Sequence, residues 1–158
     1  MKFKNLVWTI SKDDIKSICK LLDKVIINNV EINDNIEVSG SCKVVGLNVD
    51  FEATLSLLPV NNNIVYIKIM SFKLGKKDIS NPLVKKAMNL IINSITSIDG
   101  ITYDNNIFRV ELEKILNNIC NESNKIHINS LDIENIKLMN NEINLKLNIA
   151  NITLLNLK

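Results

Sequence analysis

The chain is poor in the residues on which small catalytic and disulfide-bonded proteins depend. Its 158 residues include one histidine, three cysteines, four glycines, two prolines and only 4% aromatic residues. Cys19, Cys42 and Cys120 have no CxxC spacing, which argues against a disulfide framework or a zinc site and predicts small buried thiols in a reducing compartment. Since aromatic residues are scarce, the core must be mostly aliphatic.

Two further absences bear on location and partners. No apolar run approaches the roughly 20 residues of a membrane-spanning helix, and residues 1–4 lack the apolar stretch of a signal peptide. We therefore expect a cytoplasmic protein, or one secreted without a conventional leader. The net charge is +2 with both signs spread along the chain, so the concentrated basic stripe of a duplex-binding protein is missing. Nucleic acid is not an expected partner.

Hydrophobic residues make up 46% of the chain, and many of them recur at the spacing of β-strands. Apolar and polar residues alternate through residues 36–74 and again through residues 126–157. A period of two places the apolar side chains on one face of a sheet. These segments therefore predict an antiparallel meander and a later hairpin.

Irregularities in the alternation predict where the sheet departs from ideal geometry. Residues 64–74 are apolar on both faces, which predicts a central strand or one covered twice. Gly40 and Gly46, together with a change of phase near Ala150, predict bends or bulges, the devices by which sheets curve.

Three segments have the periodicity of helices. Ser11 and Asp14 form a capping box that opens a helix ending near residues 24–27, and residues 112–120 form a short third helix. The second helix, residues 82–95, opens at an Asn-Pro pair. Its apolar residues cover about 200° of the helix surface, about twice the usual stripe. This wide apolar face must be covered on more than one side.

These patterns together predict an α+β fold in a single domain, residues 1–158. We expect a highly curved antiparallel β-sheet wrapped around the long apolar helix, with two further helices. Where such a wrap closes imperfectly, an aliphatic groove remains between the sheet and residues 82–95. The predicted ligand-binding residues of this groove are Val84, Met88, Ile91, Ile92 and Ile95 from the helix and Phe51, Leu55, Ile67 and Ile69 from the strands.

The inventory of catalytic groups is small. His127 alternates with isoleucines in a predicted strand, where a lone histidine is more often a surface residue than a base. Glu111 and Glu113 precede or begin the third helix, where carboxylates favour the helix dipole. No nucleophile elbow, phosphate-binding loop or zinc-ligand spacing is present. We therefore expect no enzyme activity, no cofactor and no metal.

A cluster of lysines adjoins the second helix. Lys73, Lys76, Lys77, Lys85 and Lys86 lie before or at its start. Such a cluster could contact anionic lipid headgroups, although a solvated surface is the more common explanation. Peripheral membrane contact is therefore one of the expected partner classes.

The order of these elements resembles the tubular lipid-binding (TULIP-like) superfamily, and in particular its small bacterial members. The resemblance runs from about residue 11 to residue 149. It rests on the alternation of residues 40–57 into Leu58-Pro59, the strand at 64–75, the Pro82 helix, and the passage from Asn105 to Leu112. It implies a highly curved sheet around a long helix, with an apolar channel for acyl chains.

The sequence thus favours non-enzymatic binding of lipid or another hydrophobic small molecule in the groove. The alternative is a protein–protein interaction module or complex subunit that uses the wide apolar helix face or a free sheet edge. A homodimer or a fully packed core would explain the same surplus of aliphatic residues.

Overall fold

The computed structural model describes residues 1–75, 81–121 and 126–155, and these form a mostly β fold. Strands account for 58% and helices for 22%. The elements in chain order are β1 (Lys2–Ile10), α1 (Lys12–Cys19), β2 (Val25–Ile32), β3 (Ile36–Val44), β4 (Leu47–Leu57), β5 (Val65–Leu74), α2 (Pro82–Thr96), β6 (Ile101–Asp104), β7 (Ile107–Val110), α3 (Leu112–Asn121), β8 (Ile126–Met139) and β9 (Glu142–Leu154).

The strands form two antiparallel sheets. The larger has six strands in the order β2-β3-β4-β5-β7-β6, and the smaller has three in the order β1-β9-β8. In the smaller sheet the two ends of the described chain meet, because β1 pairs along β9. The predicted meander at residues 36–74 and the hairpin near the C-terminus are confirmed, with residues 156–158 outside the described part.

One face of the six-stranded sheet is covered in two parts by two different layers. At one end Cys42, Phe51 and Leu74 pack with Val84 and Ala87 of α2. At the other end the smaller sheet covers it: Ile143 packs with Ile32 and Ile36, while Leu131, Leu145 and Leu147 pack with Val65 and Phe108. The opposite face carries exposed Glu37, Lys43, Glu52 and Lys73. The core therefore lies on one side of the large sheet.

The predicted α+β fold, a sheet wrapped around a long apolar helix, was wrong, because the described residues form a mostly β fold. α2 has 15 residues and lies on one face of the six-stranded sheet, near β3, β5 and β6. Val84, Ala87 and Ile91 contact that sheet's cluster, whereas Ile92 belongs to the cluster shared with the smaller sheet. The wide apolar face is thus covered by two separate layers, a geometry that the helix pattern alone could not distinguish from a single curved sheet.

β5 was predicted to be a central strand or one covered twice, and it is a central strand, since it lies between β4 and β7. Its two apolar faces are only apparent, and a bulge explains them. In the β4–β5 ladder Leu55 pairs with Ile69 and Thr54 with Ser71, so Met70 is an extra residue. The bulge changes the phase, and Ile67 and Ile69 before it share the inner face with residues after it. Met70 itself is 56% exposed.

Further predictions at the ends of elements had mixed outcomes. The Ser11 capping box is confirmed: its hydroxyl accepts from the Asp14 amide at 3.2 Å, and Asp14 accepts from the Ser11 amide at 2.8 Å. Asn81 caps α2 by accepting from the Leu83 amide at 2.9 Å. The predicted end of α1 near residues 24–27 was wrong, because the β-branched residues that begin at Val25 enter strand β2 instead.

The predicted irregularities at Gly40 and near Ala150 are confirmed, whereas Gly46 lies in the two-residue turn between β3 and β4. Asn28 is an extra residue opposite Gly40 and Ser39 in the β2–β3 ladder, and Asn148 is an extra residue in β9. A Cβ on Gly40 would collide with the carbonyl oxygen of Ile26 and lie 2.9 Å from the Phe51 ring. Glycine is therefore required there by the close approach of the neighbouring strand.

Asparagine pairs make three of the tight turns. Asn62-Asn63, Asn105-Asn106 and Asn140-Asn141 all have φ between 48° and 63°. Two consecutive residues with positive φ match the twist of a two-residue hairpin, and asparagine tolerates this conformation better than other side chains. Asn63 also accepts a hydrogen bond from the Ile133 amide at 2.9 Å, which ties its turn to β8.

The fourth turn of this type contains an unfavourable residue. Val45 precedes Gly46 between β3 and β4, with a φ of 50°, a conformation in which a β-branched side chain is strained. Val45 is also 74% exposed, so burial does not compensate for the strain.

We predict that Val45→Asn stabilises the protein by about 1 kcal/mol, because asparagine removes most of the left-handed strain and Asn-Gly is the preferred pair for this turn. Chemical denaturation of both proteins measures the difference. Val45→Thr serves as the control, since it adds polarity but keeps the β-branch. A gain of equal size in Val45→Thr would show that surface polarity, and not backbone strain, is responsible.

Candidate functional site

The most distinctive internal feature is an apolar cavity of about 260 Å³ between the large sheet, α1 and α2. It lies where α2 and the smaller sheet, the two layers on the inner face, leave a gap. Among the residues that the structure describes, no charged side chain, hydroxyl or amide lines it. Its lining consists of Ile15, Ile18, Cys19, Leu22, Val25, Ile27, Ile36, Val38, Phe51, Ala53, Leu55, Ile67, Ile69, Phe72, Met88, Ile91, Ile92, Ile95, Ile98, Ile101, Phe108 and Ile143.

The structure brings together most of the residues predicted to bind a ligand. Met88, Ile91, Ile92 and Ile95 of α2 line the cavity, as do Phe51, Leu55, Ile67 and Ile69 of the sheet. Val84 is the exception, because it is fully buried against the sheet one turn before Met88.

Sequence reasoning missed the contribution of α1 to this cavity. Ile15, Ile18, Cys19 and Leu22 line it from the side opposite the sheet. The signal was available, since these residues recur at helical spacing in the predicted first helix. The cavity also depends on Val38 and other residues of β2 and β3 that the sequence predicts only as core.

α1 covers the cavity incompletely. None of its eight residues is fully buried, and Ile18 is 36% exposed. Beside it lies a surface depression of about 280 Å³ that also includes Leu21 and Asn118. The depression and the cavity share Ile18, Ile98 and Ile101. These three isoleucines therefore form the boundary between the cavity and the surface.

Cys19 contributes the only lining heteroatom besides the Met88 sulfur. Burial raises the pKa of the Cys19 thiol to about 11, because desolvation disfavours the thiolate. The group behaves as a small apolar side chain at neutral pH, and it is neither a nucleophile nor a metal ligand there. Cys42 is buried, its pKa is likewise raised by desolvation, and none of the three cysteines is in a disulfide.

The remaining titratable candidates lie away from the cavity lining. His127 is half-buried on β8 opposite Thr153. Glu111 accepts a charged hydrogen bond from Lys114 at 2.6 Å, which with the charge of Arg109 lowers the pKa of its carboxyl. Glu113 lies in the first turn of α3. Glu111 is therefore a stable carboxylate at neutral pH and not a proton donor.

The described part of the chain contains neither a cluster of metal ligands nor a helix suited to span a membrane. Among residues 1–75, 81–121 and 126–155, no three His, Cys, Asp or Glu side chains lie close enough to hold a metal ion. Within those ranges no helix combines the length and hydrophobicity needed to cross a bilayer. Of the predicted lysine cluster, Lys73, Lys85 and Lys86 are exposed, and Lys76 and Lys77 lie outside the described residues.

Comparison with models of protein families, with curated proteins and with solved structures found no match to this chain. The resemblance to tubular lipid-binding proteins therefore stays a prediction from residue patterns. Its implied architecture, a sheet curved around a long helix, is not the one observed.

The raised pKa of Cys19 predicts slow alkylation. In a Cys42→Ala/Cys120→Ala background, we expect the rate at pH 8 to be about 100-fold below that of the urea-unfolded protein, because the thiolate fraction falls tenfold per pKa unit. The rate should still rise tenfold per pH unit at pH 9.5, where an ordinary thiol is levelling off. Iodoacetamide labelling followed by mass spectrometry measures both. A plateau near pH 9 in the folded protein would contradict the burial of this thiol.

Proposed function

We propose that this protein binds a single-chain apolar molecule, such as the acyl or alkyl chain of a lipid, in the cavity between the six-stranded sheet, α1 and α2. The observation that carries the proposal is the lining: of the described residues, 22 from nine elements and their connections converge on the space without one charged or hydroxyl group. Ligand sites are typically mostly apolar concavities with few polar groups.

The size of the cavity limits the class of ligand. An apolar cavity of about 150 Å³ accommodates benzene, so 260 Å³ has room for a chain of about ten carbons. Each buried methylene contributes about 0.8 kcal/mol, and binding must also offset the lost freedom of the ligand. Ten methylenes contribute about 8 kcal/mol before that cost, so these terms favour one medium-length chain bound more weakly than micromolar. They exclude a fully buried two-chain phospholipid.

Unfilled apolar space is costly, because the side chains that line it lack packing partners on one side. An apolar guest in the cavity supplies those contacts, so we expect a bound ligand to stabilise the fold.

The absence of lining charge distinguishes the proposal from specific recognition of a fatty acid carboxylate. The polar end of any guest must reach the boundary at Ile18, Ile98 and Ile101, beyond which Ser17 and Asn118 line the surface depression. Contacts with the acyl or alkyl chain therefore supply most of the binding free energy, and the head group contributes little.

We predict that decanol raises the thermal midpoint of the protein, by the equivalent of about 2.7 kcal/mol at a hundred times its dissociation constant. Decanoate should bind no more tightly than decanol, since no basic group lines the cavity. Differential scanning fluorimetry and isothermal titration calorimetry measure the two effects. Absence of any shift at solubility-limited decanol would contradict the proposal.

A cavity-filling variant locates the binding. Ala53→Leu adds three carbons to the lining, so we expect the ligand-free protein to gain about 1–2 kcal/mol and decanol affinity to fall at least tenfold. Thr54→Leu is the matched control, because its side chain lies on the opposite face of β4 and should leave affinity unchanged. Equal affinity in the Ala53→Leu protein would place the ligand elsewhere.

A further inference from the structure

Strand β1 forms an edge that is protected in only one of its halves. It lies at the outside of the three-stranded sheet, and every side chain from Lys2 to Thr9 is exposed. The first half contains Lys2, Lys4 and Asn5, whose φ of 53° interrupts the extended backbone, and such charges and irregularities block pairing. The second half, with Leu6, Val7 and Trp8, has no charge and no proline, and a free apolar edge of this kind is a site for strand addition.

The other described edges are occupied or short. On β8 the backbone of Ile128 is held by both ends of the Asn117 amide, at 2.7 and 2.8 Å, and the Ile133 amide donates to Asn63. β6 has only four residues, and α1 packs beside β2. Among the strands described, β1 is therefore the edge best suited to accept a partner strand.

The inner face of β1 continues the apolar face of β9, but no other layer of the structure covers it fully. Leu6 and Trp8 pair with Leu147 and Leu145 of β9, and directly paired residues share a face of the sheet. The two leucines of β9 are 1% and 0% exposed, whereas Leu6 and Trp8 are 39% and 36% exposed. The core face therefore stops at β1 with its last row of side chains half covered.

The charges at the two ends of β1 favour a second copy of the same strand as its partner. Lys2 and Lys4 lie at its beginning, and Asp13 and Asp14 follow its end in the first turn of α1; all four are exposed. Lys12, which lies between the strand and these carboxylates, is paired with Glu31 at 3.3 Å. The strand thus runs from a basic end to an acidic end, and an antiparallel copy of itself places unlike charges together at both ends.

We propose that β1 pairs antiparallel with β1 of a second copy of this chain. A two-fold axis across the strand then joins the two smaller sheets into one continuous sheet of six strands, and Leu6 and Trp8 of each copy cover the exposed apolar face of the other. The interface is isologous and closed, so it forms dimers and not fibres. It is independent of ligand binding, since none of these residues lines the cavity.

The extent of the contact predicts a weak dimer. A single strand pair with a few apolar side chains is smaller than the area buried in a stable complex. We therefore expect a monomer–dimer equilibrium in the micromolar range or weaker, which calls for measurement across concentration.

Trp8 is the only tryptophan in the chain and reports directly on this interface. Between about 1 and 500 μM protein, analytical ultracentrifugation should show a monomer–dimer equilibrium. Over the same range the Trp8 emission should shift to shorter wavelength, and its quenching by acrylamide should fall about threefold. Monomer at every concentration, or larger aggregates in place of dimers, would overturn the proposal.

Three variants locate the contact. Leu6→Lys should weaken the dimer at least tenfold, whereas Met139→Lys, which changes a comparably exposed side chain on the far strand of the same sheet, should not. Lys4→Glu should weaken it about threefold to tenfold, and the added Asp13→Lys should restore it. A dimer insensitive to Leu6→Lys would place the interface elsewhere, and failure of the charge swap to restore it would exclude the antiparallel arrangement.

Discussion

The structure depends on burying one aliphatic face of the six-stranded sheet. No single layer in a chain of this length covers that face: α2 covers the end near Phe51 and Leu74, and the small sheet covers the end near Ile36 and Phe108. The cavity lies where these two covers meet on the inner face, and α1 lines it as well.

Much of this arrangement could be predicted from local patterns. The alternation of residues 36–57 predicted β3 and β4, Ser11 and Asp14 predicted the start of α1, and Asn81-Pro82 predicted the start of α2. The convergence of eight of the nine proposed binding residues followed from the same reasoning, since inward faces of strands and the helix must meet somewhere. These are predictions about which side chains point inward, and inward direction is encoded by spacing.

The predictions that failed concerned which layer or strand packs against an apolar face. The helix pattern in α2 required more than one cover but did not specify two layers instead of one curved sheet. At Met70 a bulge changed the strand phase, and a bulge leaves the same residue sequence as a strand with two apolar faces. At Val25 the helical spacing continued past the end of α1, and only pairing with β3 made the segment a strand. In each case a partner distant in sequence decided the outcome.

α1 determines where the molecule unfolds locally. The helix has eight residues, is anchored by a capping box, and has no fully buried side chain, whereas the two sheets share buried clusters. Its local unfolding therefore costs far less than unfolding of the sheets. For the ligand binding proposed above, entry and exit would depend on this one segment, and their rate would be uncoupled from the global stability of the fold. Mutations that strengthen the core can then leave exchange kinetics untouched, while a single change in the cap of α1 alters them.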